Sequence, residues 1–198
     1  MILFQKKQFF LIHSSNISLK VFNIITKNIP NSIFSKLDYN FFVSIVKKKI
    51  INIYLVKNKK NIASVITTVS VKNYNILKKK FLFYILLNPI KIISNFNFFL
   101  SLIQRDSNII DKKYEKNYLH LLHLVIYKKQ FWSESVNNKD KILDFFFKKI
   151  LKNNNASIFY LCYETSNLRA HKFYKRNKFK IYNKNKKIIF IKKRFKND

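Results

Sequence analysis

Apolar and polar positions recur along this chain with two periods, and the local period assigns each element. Gln8 to His13 is a short extended run. Ser14 to Ser18 offers Ser and Asn caps for a helix to about Asn28, with Ile17, Val21, Ile24 and Ile25 on one face and Pro30 as its stop. Residues 39–50 carry a second helical pattern. Ile51 to Val56 and Ile62 to Val71 are extended, and the turn-like Lys57 to Asn61 between them predicts a hairpin. Residues 74–104 are apolar and read as two helical pieces broken at Asn88-Pro89. Tyr118 to Tyr127 is short, continuously apolar and bounded by polar runs, as a central strand covered on both faces would be. A helix from about Lys139 to Lys152 follows it.

The last segment has the sharpest boundaries. Ala156 to Tyr163 reads as a strand, Ser166 or Asn167 caps a helix to about Asn177, and Phe179 to Tyr182 with Ile188 to Lys192 form a hairpin around NKNK. The predicted order is β, α, α, β, β, α, β, α, β, α, β, β. Strands alternating with helices imply an α/β fold, one mixed sheet with helices on both faces. No internal repeat or linker interrupts it, so a single domain over residues 1–198 is expected.

Composition changes this picture little. Lys, Asn, Ile, Phe and Tyr fill 122 of 198 positions and glycine is absent, the mark of A/T-rich codons, so composition carries little about function. With 48% apolar residues the chain is too hydrophobic for a disordered polycation. A single Cys excludes a disulfide framework or a cysteine-based zinc site, and four separated histidines without an acidic cluster imply no metal. The formal charge of +31 would favour phosphate-bearing ligands and non-specific nucleic-acid adhesion. Lys outnumbers Arg 36 to 4 and is scattered in runs through every segment, which reads as solvated faces rather than a dedicated stripe. The longest apolar stretch, Phe81 to Ile103, is broken by Asn88, Pro89, Lys91, Asn95 and Asn97, so no membrane span is expected. The first residues lack a signal-peptide pattern, and the expected location is the cytoplasm.

The chemistry concentrates in the C-terminal helix. Asn167, Ala170, Phe173, Tyr174 and Phe179 stand at n, n+3, n+6, n+7 and n+12 directly after a strand. Ala170, one of three alanines, lets the helix lie close to the sheet while Tyr174 projects at its edge. This arrangement resembles the signature of the GNAT superfamily of N-acetyltransferases: an Asn, an Ala three on, a Phe-Tyr or Leu-Tyr pair, then Gly-Phe. The element order matches that fold as well, with a mostly antiparallel sheet and a cofactor-binding half over about 118–198.

The resemblance implies an acetyl-CoA-dependent transfer to a primary amine. The strand Leu119 to Tyr127 would splay from its neighbour and pair through the backbone of Leu124, Val125 and Ile126 with the pantetheine arm. Asn167 would join the cofactor site, and Tyr174 would protonate the departing thiol. The family's pyrophosphate loop, Arg or Gln, two residues, Gly, one residue, then Gly or Ala, is matched here by Gln130 to Ser135. Ser133 and Ser135 replace both glycines, and Glu134 adds a negative charge; Lys128, Lys129, Lys139 and Lys141 offer compensation. His120 and His123 are the candidates for a general base, with His120 preferred because it falls where the family often carries a polar or acidic residue. Residues three apart in a strand face opposite ways, so only one of the two lines the cleft unless a bulge intervenes. His13 and His171 read as surface residues. Two other readings stay open: a basic RNA- or ribosome-associated protein with stacking aromatics, and a GNAT-like fold that has lost catalysis.

Overall fold

A computed structural model describes residues 2–6, 8–29, 33–88, 117–127, 136–184, 186 and 188–195. In chain order the elements are β1 (Ile2–Lys6), β2 (Phe9–Ser14), α1 (Leu19–Asn28), a short 3-10 helix (Ile33–Lys36), α2 (Tyr39–Lys47), β3 (Asn52–Asn58), β4 (Asn61–Ser70), α3 (Val71–Leu86), β5 (Tyr118–Ile126), α4 (Val136–Asn153), β6 (Ile158–Glu164), α5 (Leu168–Arg176), β7 (Lys180–Lys184) and β8 (Ile188–Arg194). The strands form one eight-stranded sheet in the order β1-β2-β3-β4-β5-β6-β8-β7. Every neighbouring pair is antiparallel except β5 and β6. The α/β architecture is therefore the one the alternation implied, with one strand more. β1 was not anticipated, because Lys6, Lys7 and Gln8 interrupt the apolar pattern and no glycine marks the turn.

Period-two side chains feed two cores, one on each face. On β3, Ile53 and Leu55 enter the core with α1, α2 and α3, whereas Tyr54 and Val56 enter the core with α4 and α5. Leu143, Phe146, Phe147 and Ile150 repeat at helical spacing along α4 and bury against Leu119, Leu121, Phe159 and Ile191. Each such fully buried side chain contributes about 1.5–3 kcal/mol, so α4 is fixed firmly to the sheet.

Polar side chains start the helices as their types require. Ser18, Asp38, Ser70 and Asn167 accept from the backbone N–H of Val21, Phe41, Asn73 and Ala170. Ser70 ends β4 and caps α3 at once, which is why that helix starts at Val71 rather than near residue 74. The second helical piece expected up to residue 104 lies outside the described residues.

Without glycine, tight turns fall to other residues. Lys49, Lys59, Asn155 and Lys178 all adopt positive φ, and Lys178, at φ 61°, occupies the glycine position of the Gly-Phe pair after α5. A left-handed non-glycine residue costs about 1–2 kcal/mol, part of which the greater unfolded-state entropy of glycine offsets. Lys178→Gly is therefore expected to raise unfolding free energy by about 0.5–1 kcal/mol in urea titration. A lower midpoint would show that the lysine is not strained there.

Candidate active site

The parallel pair β5 and β6 is joined over only three positions, Tyr118↔Ile158, Leu119↔Phe159 and His120↔Tyr160. Beyond these, β5 stays paired with β4 up to Ile126 and β6 with β8 up to Glu164, so the strands part into a fork. α4 follows β5 and α5 follows β6, which brings the N-termini of both helices to the fork's open end. Their positive dipole ends suit an anionic ligand.

Backbone register decides which groups look into the fork. Tyr127 N–H donates to Ala63 O at 2.9 Å, so this directly opposed pair is hydrogen-bonded, and the antiparallel alternation makes Val65↔Val125 the next such pair. The polar backbone groups of Val125 thus face β4, and its carbonyl also accepts from the Ser64 hydroxyl at 2.7 Å. Leu124 and Ile126, the residues on either side, direct theirs away from β4 and into the fork. Of the three backbone candidates, Val125 is corrected to a sheet-pairing and core residue, with its side chain in the α1–α3 core.

A bulge also changes the histidines. Thr67 opposes His123 while Thr68 opposes Leu121, leaving Leu122 as the extra residue. His120 and His123 consequently share a face: His120 packs on Tyr74 of α3 at 4.8 Å, and His123 on Phe34 of the 3-10 helix at 4.7 Å. Their environments differ. His123 Nδ1 lies 3.0 Å from Thr67 Oγ1, and burial pushes its pKa down to about 3, making it a neutral core residue. His120 sits where the strands part, stacked on Tyr160 at 4.3 Å and 25°.

On the opposite face, Tyr174 is buried against Tyr163 (5.7 Å, 25°) and edge-on to Phe179 (5.1 Å). Burial raises its phenol well above the ordinary value near 10, and the Tyr163 phenol and Cys162 thiol add to the shift. Asn167 is exposed and its Oδ1 is engaged with Ala170 N–H at 3.0 Å, which fixes the start of α5. Arg176 of α5 and Asp140 of α4 pair across the two helices, with Nη2 3.3 Å from Oδ1. His171 is not simply a surface residue: it is half-buried, with Nδ1 2.9 Å from the Tyr163 hydroxyl. The signal in the sequence was its position three residues before Tyr174 on the same helix.

Gln130, Ser133 and Ser135 lie outside the described residues, as do Glu134, Lys128 and Lys129. α4 begins at Val136 rather than near Lys139, directly after Ser135 in the sequence. Among the described residues no three His, Cys, Asp or Glu side chains are grouped to hold a metal, and no helix is long and apolar enough to cross a membrane.

No protein-family model and no curated protein matches the sequence. Solved structures do match over nearly their whole length. The Campylobacter jejuni N-acetyltransferase PseH in complex with acetyl coenzyme A is 13% identical, with a TM-score of 0.52 over 94% of this chain and 98% of that one. A GNAT family acetyltransferase from Elizabethkingia anophelis with acetyl-CoA bound is 8% identical, with a TM-score of 0.54 over 96% and 100%. A Bacillus subtilis acetyltransferase in complex with CoA is 7% identical, with a TM-score of 0.52 over 93% and 97%. Together with the forked parallel pair and the two helix N-termini at its mouth, these matches give the chain the fold of the GNAT N-acetyltransferases.

Proposed function

We propose that this chain is a single-domain N-acetyltransferase that moves the acetyl group of acetyl-CoA to a primary amine. The observation that carries this reading is the fork between β5 and β6, where the backbone groups of Leu124 and Ile126 face away from β4 along the stretch of β5 that no longer pairs with β6. The pantetheine amides pair with those groups, and the pyrophosphate meets Gln130, Ser133, Ser135 and the first turn of α4. Asn167 holds the start of α5 against the cofactor. His120 accepts the proton of the attacking amine, and Tyr174 donates to the departing sulfur.

The competing reading as an RNA-associated module needs aromatic faces open to bases. Among the described residues, Phe83 is the only strongly exposed aromatic, while Phe34, Phe42, Phe81, Phe146, Phe147 and Phe159 fill the cores.

Acetyl-CoA at about 100 times its Kd is expected to add about 2.7 kcal/mol of apparent stability, read as a rise in Tm. A folded sample that shows no shift at millimolar acetyl-CoA overturns the proposal. The acceptor is then sought by thiol release with amino sugars, polyamines and peptide N-termini as the amine panel.

A further inference from the structure

The last rung shared by β5 and β6 is the pair His120↔Tyr160, one step before the strands part. Both side chains stand on the face opposite α4, because Leu119, Leu121, Phe159 and Leu161 on either side of them enter the core that α4 covers. Their rings are stacked, 4.3 Å between centres and 25° from parallel, and Tyr74 of α3 meets the same imidazole at 4.8 Å and 59°. Tyr118 packs edge-on to Tyr160 at 6.0 Å. His120 is 8% exposed and Tyr160 4%, so water solvates little of either ring. His123 gives the contrast on the same face: its partner is Phe34, tilted by 54° rather than laid flat.

An imidazole that accepts a proton in such a place loses most of the hydration of its new charge. A parallel aromatic face offsets part of that loss, since its quadrupole attracts a cation. We propose, on the reading of this chain as an acetyltransferase with His120 as its base, that Tyr160 is a positioning residue whose ring face holds the His120 imidazole where the strands part and stabilises the imidazolium formed as the amine attacks. As the amine nitrogen bonds to the thioester carbonyl carbon, its N–H bond breaks, an N–H bond forms on His120, and the electron pair stays on the nitrogen. The imidazolium later gives that proton to water. Among the described residues, the other titratable groups on this side are Tyr74 and Lys78 of α3, Tyr118 and His123 of β5, Cys162 and Glu164 of β6, Tyr182 of β7, and Lys192 of β8, which opposes Tyr160. Lys78 Nζ lies 5.8 Å from the centre of the Tyr74 ring, and burial lowers its pKa. The one carboxylate in this set, Glu164, is exposed at the far end of β6, which leaves the ring face as the group placed to meet the new charge.

The test is NMR titration of the His120 ring, assigned by the signal lost in His120→Gln, alongside steady-state kinetics with acetyl-CoA and the most active amine of the panel. Tyr160→Leu removes the ring face and is expected to lower the titration midpoint by about one pH unit and kcat about tenfold, with KM for acetyl-CoA within about twofold. Tyr160→Phe keeps the face and should restore both. Because Tyr160→Leu also alters packing, a second comparison holds shape nearly constant: Tyr160→Phe made with ordinary or with trifluorinated phenylalanine. The fluorinated ring has a weakened negative face, so that protein should titrate lower and turn over more slowly, a difference that packing alone would not produce. Equal midpoints in those two proteins overturn the proposal and leave the acetyltransferase reading standing. Unchanged kcat in His120→Gln removes the base and with it the catalytic use of the stack. Failure of the parent to turn over any amine of the panel overturns the acetyltransferase reading, while the titration series still decides whether Tyr160 steadies the imidazolium.

Discussion

Tyr174→Phe is expected to lower kcat for acetyl transfer by roughly 10²-fold to 10⁴-fold, the range for loss of a general acid, with acetyl-CoA affinity changed far less. The phenol of Tyr174 is buried and its pKa is raised, so it is fully protonated at neutral pH. A free thiol titrates near 8.5, and on the proposed acetyltransferase reading the departing thiolate gains strongly from a fixed donor. Phe keeps the ring, its stacking on Tyr163 and its edge contact with Phe179, and removes only the hydroxyl. Stopped-flow or steady-state thiol release, with cofactor affinity measured separately by calorimetry, separates the two effects. If Tyr174 serves only as packing, the variant shows a small stability change and near-normal kcat, and the residue leaves the mechanism.

The elements that frame the candidate site were legible because local rules and tertiary packing agree. Asn167 is a strong capping type placed ahead of an apolar helical period, and the structure uses it as a cap. Tyr118 to Tyr127 has no polar face, and the resulting strand lies between β4 and β6 with a core on each side. The features that were not legible depend on pairing partners rather than on local pattern. The bulge at Leu122 carries no glycine to announce it, yet it rotates every later side chain of β5 by one position and brings His120 and His123 to one face. The choice of Leu124 and Ile126 over Val125 is set by which residues form hydrogen-bonded pairs with β4, a property of register alone. His171 looked like a surface residue because its partner, Tyr163, lies on the preceding strand.

The same bulge has a thermodynamic consequence in His123. Its ring is enclosed by Phe34 and Thr67, and burial holds its folded-state pKa at about 3, below the value near 6.5 expected in the unfolded chain. Between those values the unfolded chain binds the proton and the folded chain does not, so stability rises with pH across this window and falls as pH drops through it. The contribution is fully present above about pH 6.5 and is lost progressively down to about pH 3. At pH 4.5 the loss relative to pH 8 is on the order of a few kcal/mol, at roughly 1.4 kcal/mol per pH unit crossed below the unfolded value. Asn at position 123 can keep a polar atom toward Thr67 and does not titrate. His123→Asn should therefore be less stable at pH 8 through lost ring packing, yet its difference between pH 8 and pH 4.5 should shrink by roughly a few kcal/mol. All other groups are the same in both proteins and cancel from that comparison. Urea midpoints at the two pH values decide the matter, and equal pH sensitivity in variant and parent would mean that His123 is solvated enough to ionise within the folded sheet.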